Sequence, residues 1–297
     1  MTSKLGEISA LLTAVFWTTS ALNFENASKR VGSLPVNLLR LVIGLFFLST
    51  FCWMYRGLFL PVDAPPRAWF WLSMSGFIGF AFGDLFLFKA FVVLGSRISM
   101  LMMALVPPMT ALFGWIVMGE VLTLKGLIGM VLTVGGIALV VLERDSSEKQ
   151  IRLSHPMAGI WYALGGAVGQ AVGLIFSKLG MGHYNAFAAS QIRILAGITG
   201  FAVLFSISKS WPQVAAAFHD KKAIFQLSIG SFFGPFLGVS FSLLAIKYTT
   251  AGVASTIMAI VPVLIIPPAV VFLKEKVNFK EILGAVVAVL GVAVLFL

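Results

Sequence analysis

The chain of 297 residues is 59% hydrophobic and only 11% charged, with a mean hydropathy of +1.01, whereas a soluble globular domain carries about 25% charged residues to cover its surface. That shortfall excludes a soluble catalytic domain, because ten bilayer-spanning helices of about 20 residues would leave roughly 100 residues for connections and tails. The formal charge of +10 comes from 21 basic residues scattered singly and in pairs between apolar runs, which anchors helix ends in anionic headgroups and argues against nucleic acid as a partner.

In chain order the apolar runs fall at Ile8–Phe24, Leu34–Tyr55, Trp69–Val93, Ile98–Met118, Leu124–Leu142, Met157–Leu179, Asn185–Ile207, Ile224–Ile246, Gly252–Leu273 and Ile282–Leu297. Inside hydrocarbon each backbone polar group has to be satisfied within its own segment, and none of these runs alternates as a barrel strand does, so all ten are predicted to be transmembrane helices. The fold class is therefore an all-α polytopic membrane protein. The first run follows a single lysine and no convincing small-residue cleavage site, so it is read as a retained helix. The longest polar connections are Tyr55–Arg67, Glu143–Pro156 and Ser208–Lys222. Cys52 is the only cysteine, and His155, His183 and His219 lie far apart near segment ends, so neither a disulfide, a metal site nor a cofactor is expected.

The two halves repeat one another. Val106-Pro107, Gly119-Glu120, Lys125, Gly129 and Gly136 recur as Val261-Pro262, Lys274-Glu275, Lys280, Gly284 and Gly291 at a constant offset of 155, as do Gly79 and Gly83 at Gly234 and Gly238. Nearer the start, Gly6 and Arg40 shift onto Gly159 and Arg193 at an offset of 153. Residues 1–142 and 157–297 are thus predicted to be two five-helix units joined by a linker over 143–156. Five is odd, so the second unit enters the membrane from the opposite side, and such an inverted pair encloses a central cavity open to each face in turn, the geometry of alternating-access transport.

Polar groups inside the apolar runs are the candidate site. Asp84 lies about fifteen residues into the third run, near 22 Å along it at ~1.5 Å per residue, where a carboxylate costs about 2.5–3.5 kcal/mol. Burial penalises its charged form, which makes proton exchange near neutral pH the functional expectation; the alternative is a structural partner for Lys89 or Arg97. Arg40 and Arg193 match across the halves. Arg40 sits close to its helix start and is expected to snorkel to the headgroups, whereas Arg193 is the expected clamp for a substrate carboxylate or phosphate, with Gln191 beside it. Trp17 and Gln170 match at offset 153 and are expected to line the cavity, as is Asn23, while Glu25 and Lys178 are expected at the interface. Small residues at Gly165, Gly169 and Gly173 are expected to pack helices closely. Pro107, Pro108, Pro235 and Pro262 are the expected hinges.

Trp17, Pro35 to Arg40, Ala90 to Gly95, and Pro107 with Glu120 and Gly129, repeated in the second half as Arg193, Ala245 to Thr249, Pro262, Glu275 and Gly284, resemble the EamA-type repeat of the drug/metabolite transporter superfamily. The resemblance covers nearly the whole chain, with the pair Pro107-Pro108 in place of a single proline. It implies a ten-helix basket whose cavity is lined by the first four helices of each half, with the fifth helices associated with dimer contacts in smaller relatives, and a monomer or homodimer exporting a small metabolite such as an amino acid. It also implies both termini inside, whereas Lys and Arg are more numerous on the side opposite the termini, and a literal positive-inside count reverses the orientation; the expectation follows the resemblance. The residues and the resemblance together predict a secondary transporter of a bacterial plasma membrane, with proton coupling through Asp84 as the expectation to test. The readings from other classes are a membrane-embedded enzyme acting on lipid, which lacks a visible nucleophile and base, and a non-transporting scaffold, which leaves the duplication unexplained.

Overall fold

The computed structural model describes residues 2–118, 123–144, 151–153, 156–248, 254, 257–274 and 277–296. These form α1 (Thr2–Val31), α2 (Ser33–Arg56), α3 (Pro66–Leu94), α4 (Ser96–Ile116), α5 (Leu124–Val141), α6 (Met157–Met181), α7 (Ala186–Ile207), the short α8 (Trp211–Ala217), α9 (Lys221–Tyr248), α10 (Val261–Phe272) and α11 (Phe279–Phe296). Eight of them, α1 to α7 and α9, are long and apolar enough to cross a membrane. In the place of the ninth expected run the described residues form the shorter α10, divided where proline nitrogens at Pro267 and Pro268 cannot donate to the preceding turn.

Two departures from an all-helical reading are local. Within the expected linker, β1 (Leu142–Arg144) pairs antiparallel with β2 (Ile151–Leu153), Leu142 opposite Leu153, so the backbone that leaves α5 satisfies itself in a two-stranded ladder. In α3 and α9 the segments Phe77–Gly83 and Phe232–Gly238 are wound as π-helix, and the two are separated by the same 155 residues as the sequence repeat. Pro235 explains the second, since a widened turn accommodates a residue that cannot donate; no proline accounts for the first.

Helix ends carry their own signals. Asn185 accepts from the Phe187 and Ala188 N–H groups at 3.0 and 3.2 Å and caps α7, and Asp220 accepts from Ala223 N–H at 3.0 Å and caps α9. Gly32 and Gly95, at φ of 87° and 81°, turn the chain between α1 and α2 and between α3 and α4.

Packing between the halves is reciprocal. In α3 and α6, a Cβ at Gly83 would lie 3.2 Å from Gly169 Cα, and one at Gly173 would lie 3.1 Å from Gly79 Cα, so the two backbones touch. The matching crossing puts Gly238 against Trp17 and Gly234 against Ser20 where α9 meets α1. Along α5 and α11 the order is reversed: Gly129 and Thr133 meet Gly291, while Gly136 meets Gly284 and Ala288. These helices therefore run antiparallel, and the contact of Gly129 with Gly291 is repeated by Gly136 with Gly284 at the repeat offset. Thr133 and Ala288, equivalent to one another, face each other at the centre, with Thr133 Oγ1 3.4 Å from the Ala288 carbonyl oxygen. A two-fold relation between oppositely directed copies produces this pattern.

Candidate functional site

The main apolar core, built around Phe24, Leu41, Phe80, Phe88 and Phe236, packs around a buried polar cluster. The π turn of α3 carries the Asp84 N–H to the Gly79 carbonyl, five residues back, and sets where the carboxylate projects. Both of its oxygens are engaged. Arg40 on α2 forms an ion pair with Oδ2, and Gln170 on α6 donates from Nε2 to Oδ1 at 2.6 Å and to the Gly79 carbonyl at 3.3 Å. Asn37 holds the pair in place, accepting from Arg40 Nε at 3.2 Å and donating to the Asp84 carbonyl at 3.2 Å. The Arg40 guanidinium lies 4.6 Å from the Phe88 ring centre, so its face is covered by an aromatic quadrupole as well as by the carboxylate.

Arg193, contributed by α7, is the second cation. It is 5% exposed and its guanidinium lies 4.7 Å from the Phe80 ring centre, but its Nε has no hydrogen-bond partner among the described residues. These groups line a cavity of about 190 Å³ together with Trp17, Ser20, Phe24, Pro235 and Ser242. At ~30 Å³ per water the space holds roughly six waters or one small solute.

Of the residues singled out from the sequence, Trp17, Asp84, Gln170 and Arg193 come together in this cavity, and Pro107, Pro235 and Pro262 line it. Asn23 and Gln191 are not among its lining residues: Asn23 donates to the Thr19 carbonyl at 2.8 Å, and Gln191 donates to Ser49 Oγ at 3.0 Å and the Phe59 carbonyl at 2.7 Å. Pro108 also lies outside the lining, but it and Pro107 withhold two donors from the preceding turn, which tightens to 3-10 geometry over Met103–Leu105. Glu120 and Glu275 lie outside the described residues.

Arg40 is the main correction. It was expected to reach the headgroups, yet it is 4% exposed, because α3 crosses its helix and supplies a counter-charge at the same depth. The partner of Asp84 is therefore neither Lys89, which faces the Tyr162 ring at 5.6 Å, nor Arg97, which pairs with Glu281 at 2.6 Å. Glu25, expected at the interface, is fully buried; it accepts from Ser96 N–H at 2.6 Å, completing the first turn of α4, and pairs with Lys29. Sequence contained one signal for Arg40, its match with Arg193, but nothing that named its partner.

Each membrane face carries a polar clasp between the halves. On the face of the termini, Asp63 receives Tyr184 Oη at 2.8 Å and Arg56 Nη2 at 2.5 Å. Burial, followed by the adjacent carboxylate, pushes the Tyr184 hydroxyl up to about 12. Burial pushes Asp63 upward, but the Tyr184 hydroxyl and the Arg56 guanidinium outweigh it and hold the carboxyl below its ordinary range. On the opposite face Arg30 donates to both oxygens of Asp220 at 2.9 and 3.0 Å, and this paired donation, with the Ala223 N–H, holds Asp220 below the usual carboxylate range.

The EamA-like transporter family is matched twice, over residues 4–142 and 157–297. Over 126 residues the chain is 32% identical to the uncharacterized transporter YetK of Bacillus subtilis, covering 42% of this chain and 36% of that protein. Over 125 residues it is 27% identical to an uncharacterized transporter of Archaeoglobus fulgidus, covering 41% of this chain and 42% of that one. The matched stretches thus span about two fifths of the length of these curated relatives. A solved crystal structure superposes with a TM-score of 0.63 at 18% identity, covering 97% of this chain and 95% of the other, a likeness of fold alone. With most of its length matched in two copies, and with eight helices able to cross a bilayer, the chain is a multi-pass integral membrane protein that belongs to the EamA-like transporter family of the drug/metabolite transporter superfamily.

Proposed function

We propose that the protein is a secondary active exporter of a small metabolite in a bacterial plasma membrane, working by alternating access and coupled to protons through Asp84. In this reading residues 1–142 and 157–297 are two inverted five-helix repeats, ten spans in all, joined through 143–156. The observation that carries it is a cavity at the seam of two halves whose contacts repeat in reverse direction, lined by an ion pair that spans α2 and α3. Such a seam has two equivalent ways of opening. The pair Asp84–Arg40 supplies the coupling: a proton on Asp84 cancels the charge that holds Arg40, and the two helices are freed to separate. In this reading the functional unit is a monomer or a homodimer, with the fifth helices, α5 and α11, packed on one another within the chain. No cofactor enters this scheme.

Proteoliposomes loaded with candidate metabolites test it. Flux driven by an imposed pH gradient, lost in Asp84→Asn, is the expected result. Hydrolysis of labelled lipid without flux supports a membrane enzyme instead, and neither activity supports a scaffold. Pro107, Pro235 and Pro262 serve as hinges in this reading, since each interrupts the helical hydrogen bonding beside the cavity.

A further inference from the structure

Charged groups in the cavity do not cancel. Its lining among the described residues contains two guanidinium groups, Arg40 and Arg193, and one carboxylate, Asp84, which leaves one positive charge in a space whose other walls are uncharged and mostly apolar. The distribution of that charge is specific. Arg40 has its counter-ion, and both Asp84 oxygens already accept from Arg40 and Gln170. Among the described residues Arg193 has no ion-pair partner within 4 Å and an unbonded Nε; the Phe80 ring lies against its face, and the Asp84 charge, already paired with Arg40, attracts it only from farther off. A guanidinium kept 5% exposed without an anion of its own is costly, and buried charges are as a rule paired.

Resting on the transporter reading, we infer that the cavity takes a small organic anion, a monocarboxylate with a compact apolar body, whose carboxylate sits on Arg193. The planar fork of Arg193 matches two carboxylate oxygens. The apolar body finds Trp17, Phe24 and Phe88, and a cavity of about 190 Å³ suits a small one. An ammonium group is disfavoured, because the charge of the one carboxylate in the cavity is already matched by Arg40 and the remaining net positive charge repels a further cation. Amino acids and cationic drugs are therefore poorer ligands than the corresponding deaminated acids.

The test is binding of four molecules with the same branched five-carbon body to purified protein in nanodiscs by calorimetry at pH 7: isovalerate (anion), valine (zwitterion), isopentylamine (cation) and isovaleramide (neutral). Isovalerate is expected to bind at least about tenfold more tightly than any of the others. Arg193→Gln is expected to remove that preference and Arg193→Lys to keep part of it. Because the comparison of the four ligands is made on the native protein, misfolding of a variant cannot decide it. Valine or isopentylamine binding as tightly as isovalerate, no binding by any of the four, or a preference that survives in a folded Arg193→Gln overturns the inference. No gradient is present in this measurement. Isovalerate bound but never moved across a membrane would therefore remove the transport reading and leave the anion site standing.

Discussion

At the scale of single residues, the Arg40–Asp84 pair follows the rule for buried ions: it is weakly stabilising as a pair and costly when halved. Asp84→Ala leaves Arg40 without an anion and is expected to destabilise the protein by about 3–5 kcal/mol, read as a fall in the thermal midpoint. The double replacement Arg40→Met with Asp84→Leu is expected to recover most of that loss while pH-driven flux stays absent. A double variant no more stable than Asp84→Ala would show that the pair is not the unit proposed. Asp220 sets a second prediction. Its folded carboxyl is held low by Arg30, so the clasp contributes fully above the ordinary aspartate range of about 4 and is lost as pH falls through the lowered folded value. Amide protection in the first turn of α9, taken relative to the intrinsic exchange rate at each pH, should therefore fall in acid, and Asp220→Asn should show the low protection already at neutral pH. Wild-type protection that does not change between neutral and acid pH would contradict it.

The polar groups of the site were largely visible in sequence because a polar residue inside an apolar run is conspicuous. Asp84, Gln170 and Arg193 were found that way, and all three line the cavity. Their partnerships were not visible. Arg40 reaches Asp84 across 44 positions of chain, a contact set by how α2 and α3 cross, and a residue near a helix end reads as an anchor until the covering helix is known.

At the scale of elements, close packing rests on missing side chains. Gly136 faces α11 so tightly that a Cβ there would lie 2.5 Å from Ala288 N and 2.7 Å from the Gly284 carbonyl oxygen, whereas a Cβ at the adjacent Gly135 would meet nothing within 4 Å. Gly136→Ala is therefore expected to force the two backbones apart and cost about 1–3 kcal/mol. Gly135→Ala is expected to be neutral, or more stable by up to about 1 kcal/mol through helix propensity. Thermal unfolding of the two variants side by side checks the assignment of the seam, and equal effects would contradict it. Hydropathy made the long helices legible, since length and apolar content alone define a span. The π turns in α3 and α9, the β1–β2 ladder and the short α8 were not legible, because each depends on how local hydrogen bonds close and not on periodicity.

At the scale of the whole molecule, the repeat offset seen in sequence reappears as geometry. The π segments, the α3–α6 and α1–α9 crossings, and the α5–α11 seam each occur as their own counterpart in the other half. The clasps at Asp63 and Asp220 close opposite faces, so loosening them has opposite effects: Tyr184→Phe with Asp63→Asn is expected to favour opening on the side of the termini, and Asp220→Asn opening on the other. The central claim is that one cavity reaches both faces in turn. The most direct measurement places single cysteines at Ser20 or Ser242, both lining the cavity, in a Cys52→Ser background, and applies a membrane-impermeant maleimide to vesicles of each orientation. Labelling of both positions from either side is the result this account predicts; labelling confined to one side in every condition, or absent from both, would contradict it.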